Sequence, residues 1–221
     1  ERATHGNLLI DCGASSMVAI RKWQVEPNAI STVLVSHLHG DHFAGLPFCL
    51  LDAQLVSRRT APLLLAGPPG FRDRLMTVME AMFAGSTQVQ RKFALEIREL
   101  ELHERVETNG LAVTPYLMKH FSGAPSYALR IETEGKVLTY SGDTEWVEEL
   151  VPAGRDADLF ICEAYFFDKM MKYHIDYRTL VDHLPRIGAK RTIVTHMSAE
   201  LLARASEITL EAAHDGLVVE F

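Results

Sequence analysis

The chain has 221 residues, 48% of them hydrophobic and 23% charged, so it is long enough to bury a core without disulfides. Its formal net charge of −7 excludes a broad basic surface for nucleic acid and leaves room only for a local patch, such as one near Arg58 and Arg59. No apolar run is long enough to cross a bilayer, no secretory pattern is visible, and the widely spaced Cys12, Cys49 and Cys162 read as reduced thiols in a cytoplasmic setting.

In chain order, one pattern recurs: a short apolar run that ends in a polar residue. LLID ends at Asp11, and a helix is expected from Ser15 to Trp23. STVLVSH ends at His37, with a second helix expected from Phe43 to Ala53. GPPG, at 67 to 70, reads as a turn before an amphipathic helix from Phe71 to Phe83. Lys92 to Thr108 contains the alternation ALEIRELEL and reads as strand. LAVTPYLMKH ends at His120. A hairpin, FSGAPSYALRIETEGKVLTYSG, then leads to Asp143 at the end of KVLTYSGD. LFICEA carries Glu163, and a helix from Arg178 to Ile187 should be kinked or ended by Pro185. RTIVTH ends at His196, before a last helix from Ala199 to Ala205. No linker or internal repeat divides the chain, so one domain over 1–221 is expected, of mixed α/β class with a covered sheet.

The densest polar stretch is SHLHGDH, at 36 to 42. Imidazole and carboxylate are the usual ligands of zinc, manganese and iron; the bland alternative is a solvated polar loop. His37 and His39 point the same way from extended backbone. Gly40 permits a turn, and Asp41 and His42 open the next helix, where a carboxylate favours the dipole. Ends of neighbouring strands converge on one sheet edge, so His37, His120, Asp143 and His196 are able to meet there. With His39, Asp41 and His42 added, the set exceeds one tetrahedral zinc and suits two ions sharing a carboxylate, for which Asp143 is the natural bridge. Two cations lower the pKa of a shared water to about 7. His5, His103, His183 and His214 read as ordinary histidines. Cys12 and Cys162 read as buried small hydrophobes. YFFDKMMKY, at 165 to 173, reads as core or dimer contact, with pocket lining as the alternative.

SHLHGDHFAGLP, followed by His120, by Asp143 in YSGDT and by His196 in VTHMS, resembles the HxHxDH signature of the metallo-β-lactamase superfamily. Within it the chain is most similar to ribonuclease Z and its relatives, through LLIDCG, GLP, GPPG and ICEAY at 161 to 165. The resemblance implies an α/β fold of the αβ/βα four-layer sandwich type, with two divalent ions at one edge, zinc first and manganese or iron as alternatives. It implies His37, His39 and His120 around one ion, Asp41, His42 and His196 around the other, and Asp143 between them. Asp41 would also steer the attacking water, and Asp11 would orient a ligand histidine from behind. Glu163 and His174 resemble the family's apparatus for protonating a leaving group.

The chain departs from the family in three places. The long insertion that carries the tRNA-gripping arm, usually between the third-motif histidine and the bridging aspartate, is replaced by the hairpin. The HST-like triplet reads His174-Ile175-Asp176. The first strand and glycine-rich turn that precede LLIDCG are expected to be missing. The function expected is therefore hydrolysis of a small phosphodiester, with tRNA disfavoured, no membrane partner and a homodimer. The alternatives are hydrolysis of a carboxylic or sulfate ester, lactone or lactam, and a metal- or partner-binding protein on the same scaffold.

Overall fold

The computed structural model describes residues 6–221; His5 lies outside the described residues. The chain forms two compact units, one made by the chain through Glu101 with Ser122–Ala124, the other by Leu102–Phe121 with Pro125–Phe221. Among the described residues no helix is long and apolar enough to cross a membrane.

The first unit is built on a parallel sheet of four strands in sequential order: β1 (Asn7–Ile10), β2 (Ile30–Leu34), β3 (Leu63–Gly67) and β4 (Leu95–Glu99). Parallel neighbours need crossovers, and helices supply them. α1 (Ser16–Lys22) joins β1 to β2, and α4 (Phe71–Met82) joins β3 to β4. Between β2 and β3 the expected single helix is three pieces: α2 (Gly40–Phe43), α3 (Leu46–Leu51) and a π-helical turn over Asp52–Val56. Pro47 at the start of α3 lacks the N–H that would continue the ladder from α2, which places the break at Ala44–Gly45. The core joins Val33, Val35 and Leu65 from the sheet side to Leu46, Phe71, Leu75 and Met79 from the helices.

The second unit carries a seven-stranded mixed sheet in the order β11 (Glu211–Ala212), β10 (Thr192–Thr195), β9 (Leu159–Glu163), β8 (Lys136–Tyr140), β7 (Ser126–Thr133), β6 (Leu111–Met118) and β5 (Val106–Thr108). β5 to β8 pair antiparallel and β8 to β11 parallel. The hairpin expected after His120 is present as β7–β8, turned by Glu134 (φ 50) and Gly135 (φ 77). α5 (Leu150–Gly154), α6 (Tyr177–Ile187) and α7 (Ala199–Ala203) connect the parallel part. Pro185 does not end α6, which runs two residues further until Gly188 at φ 70 closes it. Phe160, Cys162, Leu180, Ile187 and Val194 belong to this unit's core.

ALEIRELEL is not one strand. β4 stops at Glu99, the Leu100 N–H turns back to the Gly67 carbonyl, and β5 begins at Val106 in the other sheet. Alternation shows which residues alternate but not where pairing stops.

Candidate metal centre

In the first unit, every expected site residue follows the C-terminal end of β1 or β2. These strands are parallel neighbours, and the Asp11 N–H extends the ladder to the Leu34 carbonyl at 2.8 Å. Asp11 then takes φ 56, a left-handed conformation that aspartate tolerates better than most residues. Its carboxylate organises the histidine loop. Oδ1 accepts the Ser36 N–H at 2.7 Å, and Oδ2 accepts the Ser36 hydroxyl at 2.8 Å and the His42 Nδ1–H at 2.6 Å.

These bonds fix tautomers. Ser36 has one hydroxyl hydrogen and gives it to Asp11, so towards His37 Nδ1, 3.1 Å away, it acts as acceptor. His37 and His42 therefore both carry their proton on Nδ1 and a lone pair on Nε2, their rings 4.0 Å apart between centroids. The His39 ring lies 5.0 Å from that of His37, and Asp41 Oδ2 lies 3.5 Å from His42 Nε2.

Two glycines close this loop tightly. A Cβ on Gly13 would stand 1.9 Å from the Asp41 carbonyl oxygen, and one on Gly45 would stand 2.1 Å from the Gly13 oxygen. The Cys12 N–H meanwhile donates to the His42 carbonyl at 2.7 Å.

In the second unit the site residues again share one sheet edge. Asp143 follows β8, Glu163 ends β9 and His196 follows β10 at φ 55, all on parallel strands. β6 is two antiparallel steps from β8 and so runs the same way, which brings His120 to that edge. His120 Nδ1–H donates to the Tyr173 carbonyl at 2.9 Å, again leaving the lone pair on Nε2. Asp143 Oδ2 lies 3.9 Å from His120 Nε2 and 3.4 Å from His196 Nε2.

Glu163 is 1% exposed, and a buried carboxylate needs donors. Its Oε1 accepts the Thr144 N–H, and its Oε2 accepts His174 Nδ1–H at 2.9 Å. The His174 ring lies 5.1 Å from His120 and stacks at 5.4 Å and 11° on His196, with Tyr165 at 4.7 Å. One ligand atom each from His120, Asp143 and His174 lies within 4.8 Å of the others, and the same holds for Glu163, His174 and His196.

The donor chemistry fits divalent ions. Metal-bound histidines hold their second nitrogen on a carboxylate, hydroxyl or carbonyl, and His37, His42 and His120 are each held that way. The anchors themselves are what the sequence reading missed. Ser36 was readable beside His37. The Tyr173 carbonyl was not, because a backbone acceptor has no residue signature. Glu145 supports it by accepting the Tyr173 N–H at 2.8 Å and the Lys119 ammonium at 2.8 Å. The lysine, then the backbone N–H, holds the Glu145 carboxyl below its usual range against the burial that opposes it.

One other expectation is corrected. Arg59 is not part of a surface patch: it is 3% exposed and donates to the carbonyls of Pro27, Asn28, Ala61 and Pro62. His103, read as an ordinary histidine, pairs with the exposed Glu149 at 2.9 Å, and His183 lies on the Trp146 ring at 3.9 Å. In 165–173 only Phe167 is fully buried. Met170, 89% exposed, and Met171 line a cavity of about 160 Å³ with Trp146 and His174, as the pocket-lining alternative has it. Ile175 is core and Asp176 caps α6, accepting the Thr179 N–H at 2.9 Å, which gives the unusual triplet a structural role.

A family model described as beta-lactamase superfamily domain matches residues 6–197. Among curated relatives, a ribonuclease Z of Agathobacter rectalis is 26% identical over 250 residues, covering 89% of this chain and 80% of its own length. A ribonuclease Z of Ignicoccus hospitalis is 28% identical over 235 residues, covering 86% and 78%. Among solved structures, the short form of human tRNase Z matches with a TM-score of 0.79 at 23% identity, over 100% of this chain and 90% of its own. The metallo-β-lactamase fold protein YhfI from Bacillus subtilis matches at 0.77 and 18%, over 97% and 87%. A diphosphatase of the PhnP family matches at 0.74 and 19%, over 97% and 79%. The structural likenesses establish the metallo-β-lactamase fold, and with the family match they make this chain a hydrolase of the beta-lactamase superfamily.

Proposed function

We propose that the two units act as one domain that holds two divalent ions, zinc first, and hydrolyses a small phosphodiester. His37, His39 and His120 would hold one ion, Asp41, His42 and His196 the other, and Asp143 both. Such ions supply a nucleophilic water at neutral pH and withdraw charge from the scissile phosphodiester. The chain's own residues do the rest. Asp11 and Ser36 keep Nε2 of His42 and His37 unprotonated, Asp41 orients the attacking water, and His174 protonates the departing oxygen through Nε2.

The observation that supports this reading most directly is the His174–Glu163 pair at 2.9 Å, with Glu163 also holding Thr144. It is an oriented proton donor in ring contact with His120, a candidate ligand. The name of the curated relatives, ribonuclease Z, is that of an enzyme that cleaves a phosphodiester. The alignment with the Agathobacter protein runs over 250 residues, more than this chain possesses, so that relative carries insertions absent here. That favours a small substrate over tRNA. A homodimer and a cytoplasmic setting belong to the same proposal, the first on the resemblance and the second on the unpaired thiols.

The deciding experiment offers metal-loaded protein cyclic nucleotides, bis-p-nitrophenyl phosphate, p-nitrophenyl and sulfate esters, lactones and precursor tRNA. Turnover of the phosphodiesters above the rest is expected. Faster turnover of an ester or lactone would replace the reading, and metal uptake with no turnover would make the chain a binding protein.

A further inference from the structure

Cys12 and Cys49 are not used by the reaction proposed above, yet they lie against its machinery. Cys12 has no exposed surface and follows Asp11 directly, while Cys49 sits half-buried on α3. Cys49 packs on the core cluster to which Cys12 belongs, and the two thiols are close enough to act on each other electrostatically. The backbone fixes that proximity. Gly45 N–H donates to the Cys12 carbonyl at 2.8 Å, and Cys49 N–H donates to the Gly45 carbonyl at 2.9 Å. Cys49 thus stands one helical turn from the residue bonded to Cys12. Cys162 belongs to the core of the second unit and is fully buried.

We infer that Cys12 and Cys49 form an oxidisable pair, closed by a peroxide into an intramolecular disulfide that disturbs the His42 side of the metal site. Cys49 is the attacking thiol, because it alone of the two is reached by solvent. Its thiol is also held below the usual value, first by the Cys12 thiol and further by Arg59, against burial and Asp52.

The Cys49 sulfur attacks the peroxide O–O bond, becomes a sulfenic acid and releases water once the leaving hydroxide is protonated. The Cys12 sulfur then attacks the sulfenic sulfur, forming the S–S bond and expelling a second water. Two thiols are oxidised and one peroxide is reduced. Closing the bond draws the sulfurs together to about 2.05 Å. The Cys12 segment has no slack to absorb that movement. Its N–H is bonded to the His42 carbonyl, Gly13 lies against the Asp41 oxygen, and Asp11 holds His42 Nδ1. The bond itself is independent of the proposed function; only its effect on metal affinity rests on it.

The test treats metal-free wild type and Cys49→Ser with hydrogen peroxide, blocks remaining thiols and maps disulfides by proteolysis and mass spectrometry. Wild type should lose the mass of two hydrogens and yield a peptide joining Cys12 to Cys49, and Cys49→Ser should not. Oxygen addition without that linked peptide, or a linkage through Cys162, overturns the proposal. The oxidised protein should bind zinc about 10–100-fold more weakly, with dithiothreitol restoring the affinity. An unchanged affinity overturns the coupling to His42. A reduced protein that binds no zinc at all counts against the proposed function, while the peptide map still decides the pair.

Discussion

At the scale of single residues, the two histidine roles separate by what each Nδ1 is held by and what its loss should do. His42 is held by Asp11, so Asp11→Ala should leave the fold standing and weaken metal affinity about 10–100-fold, read by competition with a chelating dye. His174 is held by Glu163 and is proposed to move a proton. Its removal should therefore spare the metal content and cut turnover of an unactivated phosphodiester by about 10²–10⁴-fold. The loss should shrink on a p-nitrophenyl substrate, whose anion departs without protonation. Equal losses on both substrates would argue against proton donation. Missing metal in His174→Ala would instead make it a ligand, a role its ligand-atom distances to His120 and Asp143 also permit.

At the scale of elements, the loops after the strands are held by contacts that leave little room. Gly13→Ala would drive a methyl into the Asp41 carbonyl, and backbone cannot swing aside as a side chain does. A destabilisation of at least about 1–3 kcal/mol is expected, measured by denaturant unfolding, with metal affinity falling as well. The Tyr173 loop depends on Glu145, whose carboxyl lies below its unfolded value mainly because of Lys119. A depressed carboxyl contributes stability above its unfolded pKa and loses it as pH falls through the folded value. Wild type should therefore lose stability on acidification below the ordinary carboxylate range more steeply than Glu145→Gln, read as melting temperature against pH. Identical slopes would remove Glu145 from this role.

The sequence made these elements only partly legible. Runs that end in a ligand-type residue, such as STVLVSH and RTIVTH, mark both a strand and its functional end. Leu63–Gly67 is as apolar but ends in GPPG, so the same rule passes over it. β11 is two residues long and forms only because β10 offers a partner, which no local pattern records. The site's ligands announce themselves by residue type. Their anchors do not, since the Tyr173 carbonyl is backbone and Glu145 looks like any surface glutamate.

At the scale of the whole molecule, chelation should lower the melting temperature, because ions that bind only the folded chain stabilise it by mass action. Elemental analysis of fully loaded protein should approach two ions per chain, roughly 3.5–4 Å apart by absorption spectroscopy. A plateau at one ion under excess metal would sink the shared-carboxylate reading of Asp143. Substrate size follows from what joins His120 to Asp143. That interval holds the β7–β8 hairpin with its two-residue turn, which is too short to carry a folded arm for gripping tRNA. Affinity for a polyanion must then come from the remaining surface, and there the net charge is −7. Arg59, read from the sequence as part of a patch with Arg58, spends its guanidinium on four backbone carbonyls. Precursor tRNA should accordingly be processed weakly or not at all, while bis-p-nitrophenyl phosphate is turned over at the same protein and metal concentration. Any residual tRNA binding should weaken only shallowly with salt, since few phosphates would be neutralised. Efficient cleavage at sub-micromolar precursor, or a steep salt dependence, would show that the chain grips RNA by a surface other than an arm in this interval.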